Sequence, residues 1–118
     1  MRLPGVEQAE VPSQKLTDYL LDVNHEQGRG KAQFFLHVGF LVERWEVLAQ
    51  ALVRHAQEND VVKTESTRFG IRYIVEGALH TPGGRIVQIR SVWFVSRDAA
   101  HPRLVTAYPM EERDDQGT

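Results

Sequence analysis

Apolar residues recur at helical spacing through the first half of the chain and at every second position through the second half. From Pro12 or Ser13, the residues Leu16, Tyr19 and Leu20 fall on one face of a helix that ends by Asp22. Proline suits the first helical turn, and a serine hydroxyl can accept a bond from a free backbone N–H there. The stretch from Asp22 to Gly30 reads as a loop, in which Gly28 and Gly30 free the backbone for unusual dihedrals. Lys31 then opens a short apolar helix, Ala32 to Val38, with Gly39 as its C-cap. A third helix, Val42 to about Gln57, repeats Trp45, Leu48, Ala49 and Leu52 at intervals of three and four. Its Glu43, Arg44, Glu46, Arg54 and His55 fall on the wetter side.

At Asn59-Asp60 the period drops to two, and β-branched and aromatic residues take over. Val61 to Ser66 reads as an edge strand. Gly70 to Leu79 and Arg85 to Ser96 are longer and flank the turn His80-Thr81-Pro82-Gly83-Gly84, the clearest hairpin signal in the sequence. Arg103 to Tyr108 makes a last strand, stopped by Pro109. The expected architecture is α+β, with three N-terminal helices packed on one face of a four-stranded antiparallel meander. Residues 1–109 make one domain, and the acidic residues 110–118 are expected to be a disordered tail.

Alternation assigns Ile71, Tyr73 and Val75 to one face of the first long strand and Arg72, Ile74 and Glu76 to the other. In the second, Val87, Ile89, Trp93 and Val95 oppose Gln88, Arg90, Val92 and Phe94, and the Trp93 set is the core side. In the last, Leu104, Thr106 and Tyr108 alternate with Val105 and Ala107. A bulge at Gly70 or Gly77 would shift this parity by one. Arg72, Arg90, Thr106 and Tyr108 are expected on the face away from Trp93, within reach of His25 or Lys31.

The chain has 118 residues, 42% of them apolar and 25% charged, enough for one core. A net charge of -2 argues against a polycation that coats duplex nucleic acid. That total hides an asymmetry. Residues 1–60 carry a net -3 and residues 61–109 a net +4, and six of the seven cations in the second block are arginine, which grips phosphate or carboxylate with a planar fork. Zero cysteines exclude disulfides, thiolate metal sites and cysteine nucleophiles. With neither a signal-like start nor a membrane-length apolar run, the chain reads as a soluble cytoplasmic protein without a membrane partner.

Catalytic motifs are few. The five histidines have no HExxH or ligand-like spacing, so no metal and no cofactor is expected. Gly28-Arg29-Gly30-Lys31 lacks the strand and spacing of a P-loop, and neither glycosidase-like carboxylate pairs nor a nucleophile elbow are present. His25 stands out because it lies in a glycine-rich loop just before Arg29 and Lys31, where an imidazole can move protons near neutral pH.

Several segments together resemble an uncharacterised family of small bacterial proteins that occur as single domains or at the ends of secreted toxins. They are Leu3-Pro4, Val11-Pro12, Lys15-Leu16, His25 through Gly30-Lys31-Ala32, Phe34-Phe35, Phe69-Gly70-Ile71-Arg72-Tyr73, Val75-Glu76-Gly77, Val92-Trp93 and Leu104-Val105-Thr106-Ala107-Tyr108-Pro109. More distantly, the element order and the terminal Thr106-Ala107-Tyr108-Pro109 resemble the toxin ribonucleases related to barnase, EndoU, colicin nucleases and RelE. This resemblance implies a metal-independent ribonuclease-like toxin domain with RNA as substrate and a cognate antitoxin or immunity protein as partner. In that reading His25 is acid or base, Lys31 and Arg72 hold the phosphate, Thr106 and Tyr108 donate hydrogen bonds, and Arg29 and Arg90 bind substrate. The alternative is a non-catalytic interaction module, such as an antitoxin, immunity partner or oligomeric adaptor, that presents its basic sheet face to an acidic partner; the oligomeric state is left open.

Overall fold

The computed structural model describes residues 1–99 and 101–110; of the tail expected over 110–118 it describes only Met110, whose N–H bonds Gln88 C=O at 3.0 Å, and 111–118 lie outside the described residues. The helices are α1 (Ser13–Lys15), which runs into a π-helical turn at Leu16–Leu20, α2 (Arg29–His37) and α3 (Trp45–Glu58). Four strands follow, β1 (Val61–Thr67), β2 (Gly70–His80), β3 (Ile86–Ser96) and β4 (Arg103–Pro109), in antiparallel order β1-β2-β3-β4. This is the expected α+β meander with its helices on one face. No helix among the described residues is long and apolar enough to cross a membrane.

The sheet presents Tyr73, Val75, Leu79, Ile89 and Trp93 to the helices, where they meet Leu16, Leu20, Phe35, Leu48 and Leu52 in one apolar cluster. Trp93 is fully buried, and its indole N–H donates to Ser91 Oγ at 2.8 Å. The residues before α1 take part as well. Leu3 is buried in the core, and Glu10 forms a short parallel bridge to Arg103.

Four local expectations differ from the structure. The first helix is not a continuous α-helix: its last turn widens, with Leu21 N–H bonded to Leu16 C=O, a five-residue span. α2 starts two residues before Lys31, which places Lys31 inside its first turn. His55 is buried rather than wet, because it lies three residues after Leu52 on the stripe that also buries Leu48 and Ala56. The fourth difference is where the ladder breaks. Neither Gly70 nor Gly77 forms a bulge, and β2 and β3 pair without interruption from Gly70–Ser96 to His80–Ile86; the irregularities fall at Val62 in β1 and at Val105 in β4.

Candidate functional site

The break at Val105 decides where the end of the chain points. Val92 pairs with Thr106 but Trp93 pairs with Leu104, so one β4 residue stands unmatched. Leu104 and Ala107 therefore turn to the helices and are buried, whereas Thr106 and Tyr108 occupy the opposite side with Arg90 and Val92. Leu104 does not share a face with Thr106 and Tyr108, contrary to simple alternation. Arg72, opposite Phe94, lies on this same side. The four residues expected on the face away from Trp93 are all there.

They do not all converge. Lys31 Nζ reaches across from α2 and donates to Thr106 Oγ at 3.2 Å and, more closely, to the Tyr19 hydroxyl. Tyr19 Oη and Thr106 Oγ lie 3.3 Å apart, which closes a triangle of groups from the π-turn, α2 and β4. Tyr108 stands next to it, with Lys31 Nζ 5.6 Å from its ring centre and the Arg90 guanidinium also 5.6 Å away. Arg90 is anchored in turn by Glu76, Nε to Oε2 at 2.7 Å. Arg72 belongs to another group, paired with Glu65 at 3.8 Å, and Arg29 is exposed at the start of α2.

His25 sits behind the triangle, its ring 5.0 Å from that of Tyr19 in an edge-on arrangement. Its Nδ1 accepts hydrogen bonds from the backbone N–H groups of Gln27 at 3.1 Å and Gly28 at 3.0 Å. With Nδ1 engaged as acceptor, the neutral ring carries its proton on Nε2 and presents a donor. The glycine beside it has a steric task instead of the conformational one expected. Gly28 has an ordinary φ of -99°, but a Cβ there would lie 2.7 Å from Tyr19 Cδ1 and 2.8 Å from the Tyr19 carbonyl oxygen. Only glycine lets the start of α2 come this close to the π-turn.

Tyr19, His25 and Thr106 line a cleft of about 520 Å³ together with Lys15, Gln27 and Arg103. No carboxylate lines it among the described residues. Burial pushes the Tyr19 phenol up, yet its hydrogen bonds with Lys31 and Thr106 and the charges of Lys31 and Lys15 outweigh it, so the hydroxyl ionises below its usual range. Tyr19 and Lys15 are the residues that sequence reasoning missed. A tyrosine on an apolar stripe reads as core, and the one available signal was Lys15 four positions earlier, on the same side of a helix.

On the open sheet face, Lys63, Glu76, Arg90 and Tyr108 border a second depression of about 520 Å³. Most of its charges are matched: Arg72 and Lys63 meet Glu65, and Arg90 meets Glu76. No group of three or more histidine or acidic side chains gathers as for a metal ion among the described residues.

The same fold occurs in a solved structure. A chain of a contact-dependent growth inhibition toxin–immunity protein complex from Klebsiella pneumoniae 342 is similar to it, with a TM-score of 0.68 at 20% identity, covering 92% of this chain and 98% of that one. No curated protein matches the sequence. The sequence profile of a family described as a domain of unknown function, DUF6883, matches residues 2–111, nearly the whole length, and the chain belongs to that family.

Proposed function

We propose that the protein is a metal-independent ribonuclease-like toxin domain of a toxin–antitoxin or secreted-toxin system, and that its centre is the cleft between the π-turn, α2 and β4. The observation that carries this reading is the Lys31–Tyr19–Thr106 triangle, whose Tyr19 and Thr106 line a cleft with Lys15 and Arg103 and, among the described residues, no carboxylate. A phosphodiester there would meet Lys31 and Lys15 as charges, Thr106 as a hydroxyl donor and His25 Nε2–H as a neutral donor. Tyr108 braces Lys31 from the sheet side. Arg72, Arg90 and Arg29 act outside the reacting centre, on the flanking chain of a longer substrate. The similarity of the fold to a chain from a toxin–immunity complex supports the toxin-system part of the reading.

Incubation of the purified protein with tRNA and total RNA in excess chelator tests it. Cleavage that leaves 2',3'-cyclic phosphate ends, and that is lost in Lys31→Met, is the expected result. Intact RNA at high protein concentration, together with no growth defect on expression, would sink it.

The paired charges on the open sheet face favour a second reading, a non-catalytic interaction module, itself an antitoxin, immunity partner or adaptor, that docks an acidic partner protein. Such a surface offers Arg72 and Arg90 already oriented by Glu65 and Glu76. The readings separate cleanly. A docking module loses partner affinity on substitution of Arg72 or Arg90 and keeps it in Lys31→Met.

A further inference from the structure

We infer that Tyr19, not His25, is the group that hands a proton to the leaving oxygen in this cleft, with Lys31 holding the phenolate that results. The inference rests on the ribonuclease reading and names the acid within it.

Two pieces of geometry carry it. The first is the arrangement at His25, whose Nδ1 takes two backbone N–H bonds that tie the loop to the start of α2. Its ring therefore serves the cleft through Nε2–H, as a hydrogen-bond donor to a phosphate oxygen. A general acid must release a proton and take one back each turnover, and this ring is committed to a structural acceptor role instead. The second is the surroundings of the Tyr19 hydroxyl. It accepts from the Lys31 ammonium, so its own proton is free for another acceptor, and its one further side-chain contact, to Thr106 Oγ at 3.3 Å, is a long one in which either hydroxyl can donate and which a nearby substrate oxygen can replace.

The two ammonium groups nearest Tyr19 favour the anion, and the one other cation lining the cleft among the described residues, Arg103, is paired with Glu10 at 3.5 Å. Lys31 Nζ lies 4.9 Å and Lys15 Nζ 5.9 Å from the Tyr19 ring centre, and His25 meets the ring edge-on. A cation that stabilises the conjugate base makes a better acid of the phenol. The lowered ionisation range of Tyr19 agrees with that environment.

The substrate 2'-oxygen forms a bond to phosphorus, and its proton passes to solvent water. The bond from phosphorus to the 5'-oxygen breaks with its electron pair on oxygen, and that oxygen takes the phenolic proton of Tyr19. The phenolate, hydrogen-bonded by Lys31 and Thr106, regains a proton from solvent. The products are a 2',3'-cyclic phosphate and a 5'-hydroxyl, with no net proton change.

The test compares Tyr19→Phe with the unsubstituted protein on two oligoribonucleotides that differ at the cut bond. One is natural; the other carries sulfur in place of the bridging 5'-oxygen, a leaving atom that departs without a proton. Loss of a general acid predicts a fall of about a hundredfold or more on the natural oligonucleotide and a difference of no more than a few-fold on the sulfur-bridged one. A packing role would slow both alike, and that result overturns the inference, as does a variant that cuts the natural RNA at the original rate. Failure of the ribonuclease reading looks different, since the unsubstituted protein then cuts neither.

Discussion

Replacing Trp93 with alanine is expected to remove about 3–5 kcal/mol of stability, the range for deleting a large aromatic from a packed core. Domains of this kind hold a total of only ~5–15 kcal/mol, so the variant sits at or near the edge of folding. The effect is large because Trp93 joins two roles. It is fully buried where the sheet meets the helical layer, and its indole N–H satisfies Ser91 Oγ, which also bonds His55 Nδ1 at 3.1 Å. Truncation leaves a cavity and takes away one donor of a buried polar chain. Trp93→Phe keeps most of the ring and loses the hydrogen bond, so it should cost markedly less. Urea unfolding of the three proteins measures this, and an alanine variant with an unshifted midpoint would contradict the layer assignment.

Acid is expected to weaken the fold through His55. Burial pulls its pKa from 6.5 down to about 4, against a smaller opposite pull from the backbone of Gly77 and Ile89, and its Nε2 lies buried without a hydrogen-bond partner. Between these values the unfolded chain binds a proton that the folded chain refuses. The contribution is therefore complete above about pH 6.5 and is lost as pH falls to about 4, some 3 kcal/mol in all. Below pH 4 both states are protonated and this group adds nothing further. Unfolding free energies measured from pH 7 to pH 4 should show this slope, and His55→Gln should flatten it whatever its own effect at neutral pH. A slope unchanged in that variant would assign the acid sensitivity elsewhere.

The sequence patterns that proved most readable are those tied to burial. The two-residue period of β2 and β3 put Trp93, Ile89, Val75 and Tyr73 on one side, because strand geometry allows no other arrangement without a bulge. Helical spacing likewise marked Leu16, Leu20, Leu48 and Leu52, all now in the core. Position spoke more truly than residue type at His55: its polar side chain argued for water, but its place three residues after Leu52 argued for the buried stripe. The π-turn and the Val105 bulge left no comparable trace. Each adds a residue to a regular element, and neither Tyr19 nor Val105 is of a type that marks such an insertion.

Those two insertions build the candidate site. The wide turn carries Tyr19 to the cleft while Leu16 and Leu20 stay in the core, and the bulge turns Thr106 away from Leu104 to meet Lys31. Lys31 was legible as a cation after a glycine-rich loop, though its place inside α2 was not. Arg72 and Arg90 were legible as one face, but pairwise ion contacts with Glu65 and Glu76 depend on cross-strand register, which alternation alone does not fix.

Chemical-shift mapping with a non-cleavable RNA addresses the cleft most directly. Uniformly ¹⁵N-labelled protein would be titrated with a 2'-O-methyl oligoribonucleotide in the presence of chelator, and backbone amide shifts followed to saturation. A phosphodiester seated in the cleft predicts that the largest shifts fall on Tyr19, Gln27, Gly28, Lys31 and Thr106, and that Lys31→Met abolishes them. Shifts confined to the open sheet around Lys63, Arg72 and Arg90, or no shifts at all, would contradict it.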